Sequence, residues 1–109
     1  MTVVYKVLGQ VNPSANTVST LYTVPAANSA IISTVSICNQ AATATTFRLA
    51  VSPAGASIAA QHYLNYDTPL PGNDSITVTI GMTLAATDVV RVYAGSTTVS
   101  FNAFGNEIY

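Results

Sequence analysis

Between Asp74 and Gly81 the chain reads Ser-Ile-Thr-Val-Thr-Ile, so that Ile76, Val78 and Ile80 alternate with Thr77 and Thr79. Successive side chains of an extended strand point to opposite faces, and this period of two fits a half-buried strand and no helix. Similar short runs, each bounded by Pro, Gly, Asn or Ser, recur from one end of the chain to the other. That recurrence restricts the chain to an all-β fold.

A first run, Val3 to Val11, stops at Asn12-Pro13-Ser14, where Pro removes a ladder donor and its neighbours favour a turn. Val18 to Val24 ends at Pro25, and Ala30 to Asn39 places Ile31, Val35 and Ile37 on one side with Thr34, Ser36 and Cys38 on the other. In Thr45 to Ser52, Phe47, Leu49 and Val51 are predicted inward and Arg48 outward. Pro53-Ala54-Gly55 supplies a turn, Ala56 to Ala60 reads as helical turn or irregular connection, and Gln61 to Tyr66 resumes extended character. After Gly81 the chain crosses to Val89 to Ala94, which alternates Val90 and Val92 with Arg91 and Tyr93. Gly95-Ser96 predicts a hairpin turn before a last strand with Val99, Phe101 and Ala103 inward. Seven to eight short strands at this spacing predict an antiparallel β-sandwich, Greek-key or jelly-roll-like, forming a single domain over residues 1–109. The ends, residues 1–10 and 107–109, are expected to serve as short arms.

Charge bears on function. Lys6, Arg48, Arg91, Asp67, Asp74, Asp88 and Glu107 are the only charged side chains. A folded monomer of this mass should expose roughly 5,700 Å², and one charge per ~800 Å² leaves uncharged patches as large as one partner's share of a standard interface. Soluble monomers normally intersperse charge over about a quarter to a third of their surface. The deficit predicts a surface covered by copies of the chain or by a larger particle. A net charge of −1 with pI near 5.4 lacks the clustered Lys and Arg of nucleic-acid binders. Met1 to Gln10 does not read as a secretory leader, and no stretch reaches the ~18 apolar residues of a membrane helix. Folding in the cytoplasm is therefore expected, with neither nucleic acid nor membrane as partner.

Residues that could carry chemistry are few. His62 is the only histidine and Cys38 the only cysteine, and no motif ties either to a serine or to an acid, so no catalytic site is expected. Asp67, Asp74 and Asp88 lack the dense spacing of a Ca²⁺ loop, so neither a metal nor another cofactor is expected. Asn73-Asp74 reads as turn chemistry and Asp88 as a strand leader. Tyr63 and Tyr66, with Tyr22, offer flat apolar faces with hydrogen-bonding tips, which suit a sugar but suit core or subunit packing better.

Several runs share a further likeness. Leu21-Tyr22-Thr23-Val24-Pro25-Ala26, Ile37-Cys38-Asn39 and Thr46-Phe47-Arg48 resemble segments of small tailed-bacteriophage virion structural proteins and related modules of larger phage proteins. His62-Tyr63-Leu64-x-Tyr66-Asp67, Gly72-Asn73-Asp74, the Gly81 to Val90 segment and Phe101-Asn102-x-Phe104-Gly105-x-Glu107-Ile108 extend the likeness over most of the chain. Ala27 departs from the glycine common in that group after the Val-Pro-Ala run. The resemblance implies a virion component without catalytic residues, either a capsid decoration or cement protein or a tail fibre or baseplate adhesion module binding a host receptor. A short chain with no coiled-coil shaft fits the head better. The expectation is therefore a homo-oligomer, a trimer by the symmetry of capsid lattices, bound to a major capsid protein in the virion. Arg48 and Arg91 are expected as interface anchors pairing with Asp67 or Glu107 of a neighbour, with Tyr63, Tyr66 and Tyr109 at the same interfaces. A soluble sandwich that binds small ligands is the remaining reading.

Overall fold

The computed structural model describes residues 1–109. Nine strands form: β1 Val3–Val11, β2 Ser19–Thr23, β3 Ser29–Asn39, β4 Thr45–Ser52, β5 Tyr63–Leu70, β6 Ser75–Val78, β7 Met82–Leu84, β8 Val89–Ala94 and β9 Val99–Ile108. One sheet runs β1-β9-β3-β6, with β7 also on β3, and the other runs β2-β8-β4-β5. Every pairing is antiparallel. β6 and β7 pair with successive stretches of β3, Val35 to Cys38 and Ala30 to Ile32. They are two halves of one strand interrupted at Gly81, whose φ of 61° few other residues adopt. Counted so, eight strands alternate between sheets with one within-sheet hairpin, β4 to β5. This is the jelly-roll order.

The alternation explains the core. Phe47 and Leu49 on β4, Val90 and Val92 on β8, Ile32, Val35 and Ile37 on β3, and Val99, Phe101 and Ala103 on β9 all turn inward and are buried. Phe47 and Phe101 meet edge to face across the two sheets, ring centroids 6.4 Å apart. Asn39 is buried among them at one end of the sandwich, and its amide is satisfied on both sides. Nδ2 donates to Thr43 O at 2.9 Å, while Oδ1 accepts from Ala41 N and from Thr98 Oγ1 at 2.8 Å.

Four local expectations are corrected. A bulge in β3 between Ile32 and Thr34 reverses the parity of that strand, so Ile32 rather than Ile31 joins Val35 and Ile37 inside. β8 and β9 belong to opposite sheets, so Gly95-Ser96 begins a crossing between layers and not a hairpin. Ile80 lies beyond the end of β6 and is half exposed. Finally, the two ends are not arms: β1 pairs with β9 from Val3↔Ile108 to Val11↔Phe101, and Thr2 and Tyr109 exchange backbone hydrogen bonds. Their pairing completes the first sheet.

Candidate functional site

On the outer face of the second sheet, an arginine lies between two tyrosines. β4 points Arg48 outward because Phe47 and Leu49 point in, and β8 and β5 flank β4 on either side. The guanidinium carbon of Arg48 sits 4.1 Å from the centre of the Tyr66 ring and 4.0 Å from that of Tyr93. Both contacts are cation–π distances. Arg48 Nε also donates to Asp67 Oδ1 at 2.7 Å, and that hydrogen bond pushes the guanidinium pKa still higher than usual. Asp67 reaches this position because it sits in a bulge of β5, at φ 48°, where the register to β4 slips between Phe47 and Leu49.

Tyr63 packs edge to face on Tyr66 at 4.8 Å. Beside this pair the connection from β4 to β5 wraps outward through two short turns, Pro53–Gly55 and Ala60–His62. Together they enclose a shallow concavity of about 620 Å³ lined by Ile58, Ala59, Ala60, Tyr63 and Tyr66. Its lining residues are all aliphatic or aromatic, and Leu64 is exposed on the same strand.

The acids expected to meet a neighbour's arginines are engaged within one chain, which corrects that expectation. Asp67 holds Arg48, as above. Glu107 is buried at the end of β9, where its inward position lies across from Ala30 on β3 and Val4 on β1. Lys6 Nζ approaches Glu107 Oε1 at 2.8 Å, and the Tyr22 hydroxyl donates to Oε2 at 2.5 Å from the opposite sheet. These two donors, Lys6 first, hold the Glu107 carboxyl below its usual pKa against the opposing effect of burial. Burial, then Glu107, pushes the Tyr22 phenol well above its own ordinary value. Arg91 likewise turns back on its own chain: Nε donates to the buried Ser52 Oγ at 3.0 Å. Tyr109 is half exposed at the end of the sheet.

His62, Asp88 and Asp74 each accept a local backbone hydrogen bond. His62 Nδ1 accepts from Ala59 N at 3.0 Å and so closes the second turn. Asp88 accepts from Ala54 N and from Ala85 N, both at 2.9 Å, and ties the β4–β5 connection to the start of β8. Asp74 accepts from Ser75 N. No three His, Cys, Asp or Glu side chains converge as a metal site would require. Sequence reasoning missed Tyr93 and Lys6. The outward parity of Tyr93 with Arg91 signals its face, whereas nothing local signals that Lys6 and Tyr22 meet at one carboxylate. No protein-family model matches the chain, and no curated protein matches it at a significant level.

Proposed function

We propose that this protein is a virion structural protein that decorates a tailed-phage head, binding the outer shell as a homo-oligomer and reinforcing it. The observation that carries the reading is how little charge the folded surface presents. The sandwich exposes 5328 Å², roughly 760 Å² for each of its charged side chains, against ~800 Å² for one partner's share of a standard interface. Lys6 with Glu107 and Arg48 with Asp67 are already paired internally, which thins the free charge further. The jelly-roll order supports the same reading, since this architecture recurs in viral shells, although fold alone carries little weight. The mechanism is additive contact. Each buried Å² of apolar surface contributes about 25 cal/mol, so a few hundred Å² per copy, repeated over a lattice, opposes the outward pressure of packaged DNA.

The test is co-sedimentation of the purified chain with heads assembled from the major capsid protein of the genome that encodes it. Saturable binding at a fixed number of copies per shell is the expected result. Failure to pellet with shells at micromolar concentration contradicts the reading. A second reading, adhesion to a host surface receptor from the tail, has one observation in its favour: the tyrosine-walled concavity at Tyr63 and Tyr66.

A further inference from the structure

Four strands end the two sheets, β1 and β6 in the first and β2 and β5 in the second. An edge strand invites pairing with another chain unless it is short, bulged, charged or interrupted by proline. Three of these edges are blunted in that way. β2 has five residues and a register shift after Thr20. β5 contains Pro69 and two register shifts, one at the positive-φ Asp67. β6 has four residues, and its continuation into β7 is broken at Gly81.

β1 is different. It has nine residues without proline, and its pairing is regular from Val3 to Val7, the register shift falling only between Val7 and Gly9. Its single charge, Lys6, is drawn onto Glu107. In an antiparallel ladder alternate residues turn their N–H and C=O away from the existing neighbour, so this stretch offers unpaired backbone groups along its free side.

The side chains beside that edge are apolar. Val3, Tyr5 and Val7 lie opposite Ile108, Asn106 and Phe104 on the outer face of the sheet. Tyr5 is 79 % exposed, and Met1, Val3, Val7 and Phe104 are exposed with it. The outward positions of β1, β9 and β3 carry no charged side chain, whereas the opposite sheet presents Arg48, Asp67 and Arg91.

We propose that the free side of β1 pairs antiparallel with β1 of a second copy across a two-fold axis, joining the first sheets of both copies into one. These five residues together expose on the order of 600 Å², backbone and polar atoms included, against the ~800 Å² per partner of a standard interface. An antiparallel strand pair is self-complementary, as a two-fold contact requires. A lysine or aspartate on a partner's surface would find no charged side chain to meet on these outward positions. A second copy presents the same uncharged stripe and the same unpaired backbone. The proposal deepens the self-association within the reading above and rests on that part of it, giving two-fold contact in place of the three-fold expected from lattice symmetry.

Sedimentation equilibrium of the full chain tests it, with shell binding measured in parallel on the same preparations. The expected mass is twice 11.3 kDa, with Tyr5→Lys weakening the dimer at least tenfold and Leu64→Lys, on the opposite sheet, leaving it intact. Near-ultraviolet circular dichroism confirms that each variant is folded. In a Cys38→Ser background, single cysteines introduced at Val3, Tyr5 and Val7 report the axis directly, since only the position on it brings the same residue of both copies within disulfide range. A monomer, a trimer, or a dimer dissociated by Leu64→Lys but not by Tyr5→Lys overturns the proposal. A monomer that still saturates shells overturns this contact alone, and a β1 dimer that ignores shells overturns the decoration reading alone.

Discussion

Replacing Tyr22 with phenylalanine removes one oxygen while keeping the ring in the core, and so isolates the hydroxyl that donates to Glu107 Oε2 at 2.5 Å. After the change the carboxylate, its side chain only 7 % exposed, keeps Lys6 as its partner and loses its link to the opposite sheet. A hydrogen bond to a charged group contributes about 1.5–3 kcal/mol net. For a chain of this length each kcal/mol displaces Tm by roughly 4–5 °C, so Tyr22→Phe should lower Tm at pH 7 by about 6–15 °C. The pH dependence carries a sign. The folded pKa of Glu107 lies below the ordinary 4.5, so its contribution is fully present above that value and is lost as pH falls through the folded pKa. The gap between wild type and Tyr22→Phe should therefore be widest at neutral pH and narrow below pH 4.5. Urea unfolding from pH 7 to pH 3 measures it. A gap under ~0.5 kcal/mol at pH 7, or one that widens as pH falls, would refute a charge-assisted bond at this site.

Three further substitutions probe the scaffold. Gly105→Ala places a methyl where the backbone oxygen of Ile31 would lie 1.9 Å away; the β3–β9 ladder must then separate locally, and thermal melting should show a loss of more than ~2 kcal/mol. Asn39→Ala removes the partly buried hydrogen bonds to Ala41 N, Thr43 O and Thr98 Oγ1 at the sandwich end, with an expected cost of about 1–3 kcal/mol by denaturant titration. Arg91→Ala leaves the buried Ser52 hydroxyl without the Nε–H that now reaches it, so it should lower stability by ~1–2 kcal/mol while leaving the sedimentation mass unchanged. A changed mass with unchanged stability would return Arg91 to the interface role expected from its sequence position.

Periodicity carried most of the architecture. Phe47, Leu49, Val90, Val92, Val99, Phe101 and Ala103 announce their faces because alternation holds locally around them, and every one of them is buried. Ile31 misleads because the β3 bulge inserts one residue, and a bulge leaves no mark in a Thr- and Ser-rich strand. Gly95-Ser96 misleads for another reason: a short polar turn looks the same whether the chain returns within a sheet or crosses to the other layer. The site residues divide along the same line. The outward position of Arg48 follows from parity, whereas Tyr63 and Tyr66, three residues apart on one strand, meet only because the register of β5 slips. The pairing of Arg48 with Asp67 depends on a bulge in β5, and the Lys6, Tyr22 and Glu107 cluster depends on three strands far apart in sequence. Contacts of that kind are set by topology, which local pattern does not encode.

Immunogold electron microscopy of intact virions, with an antibody raised to this chain, tests head decoration on the particle itself. Label spread evenly over the head, and lost when the chain is deleted from the encoding genome, is the expected result. Label confined to the tail tip contradicts it and moves attention to the Tyr63 and Tyr66 concavity as a receptor site. Particles without label contradict both readings.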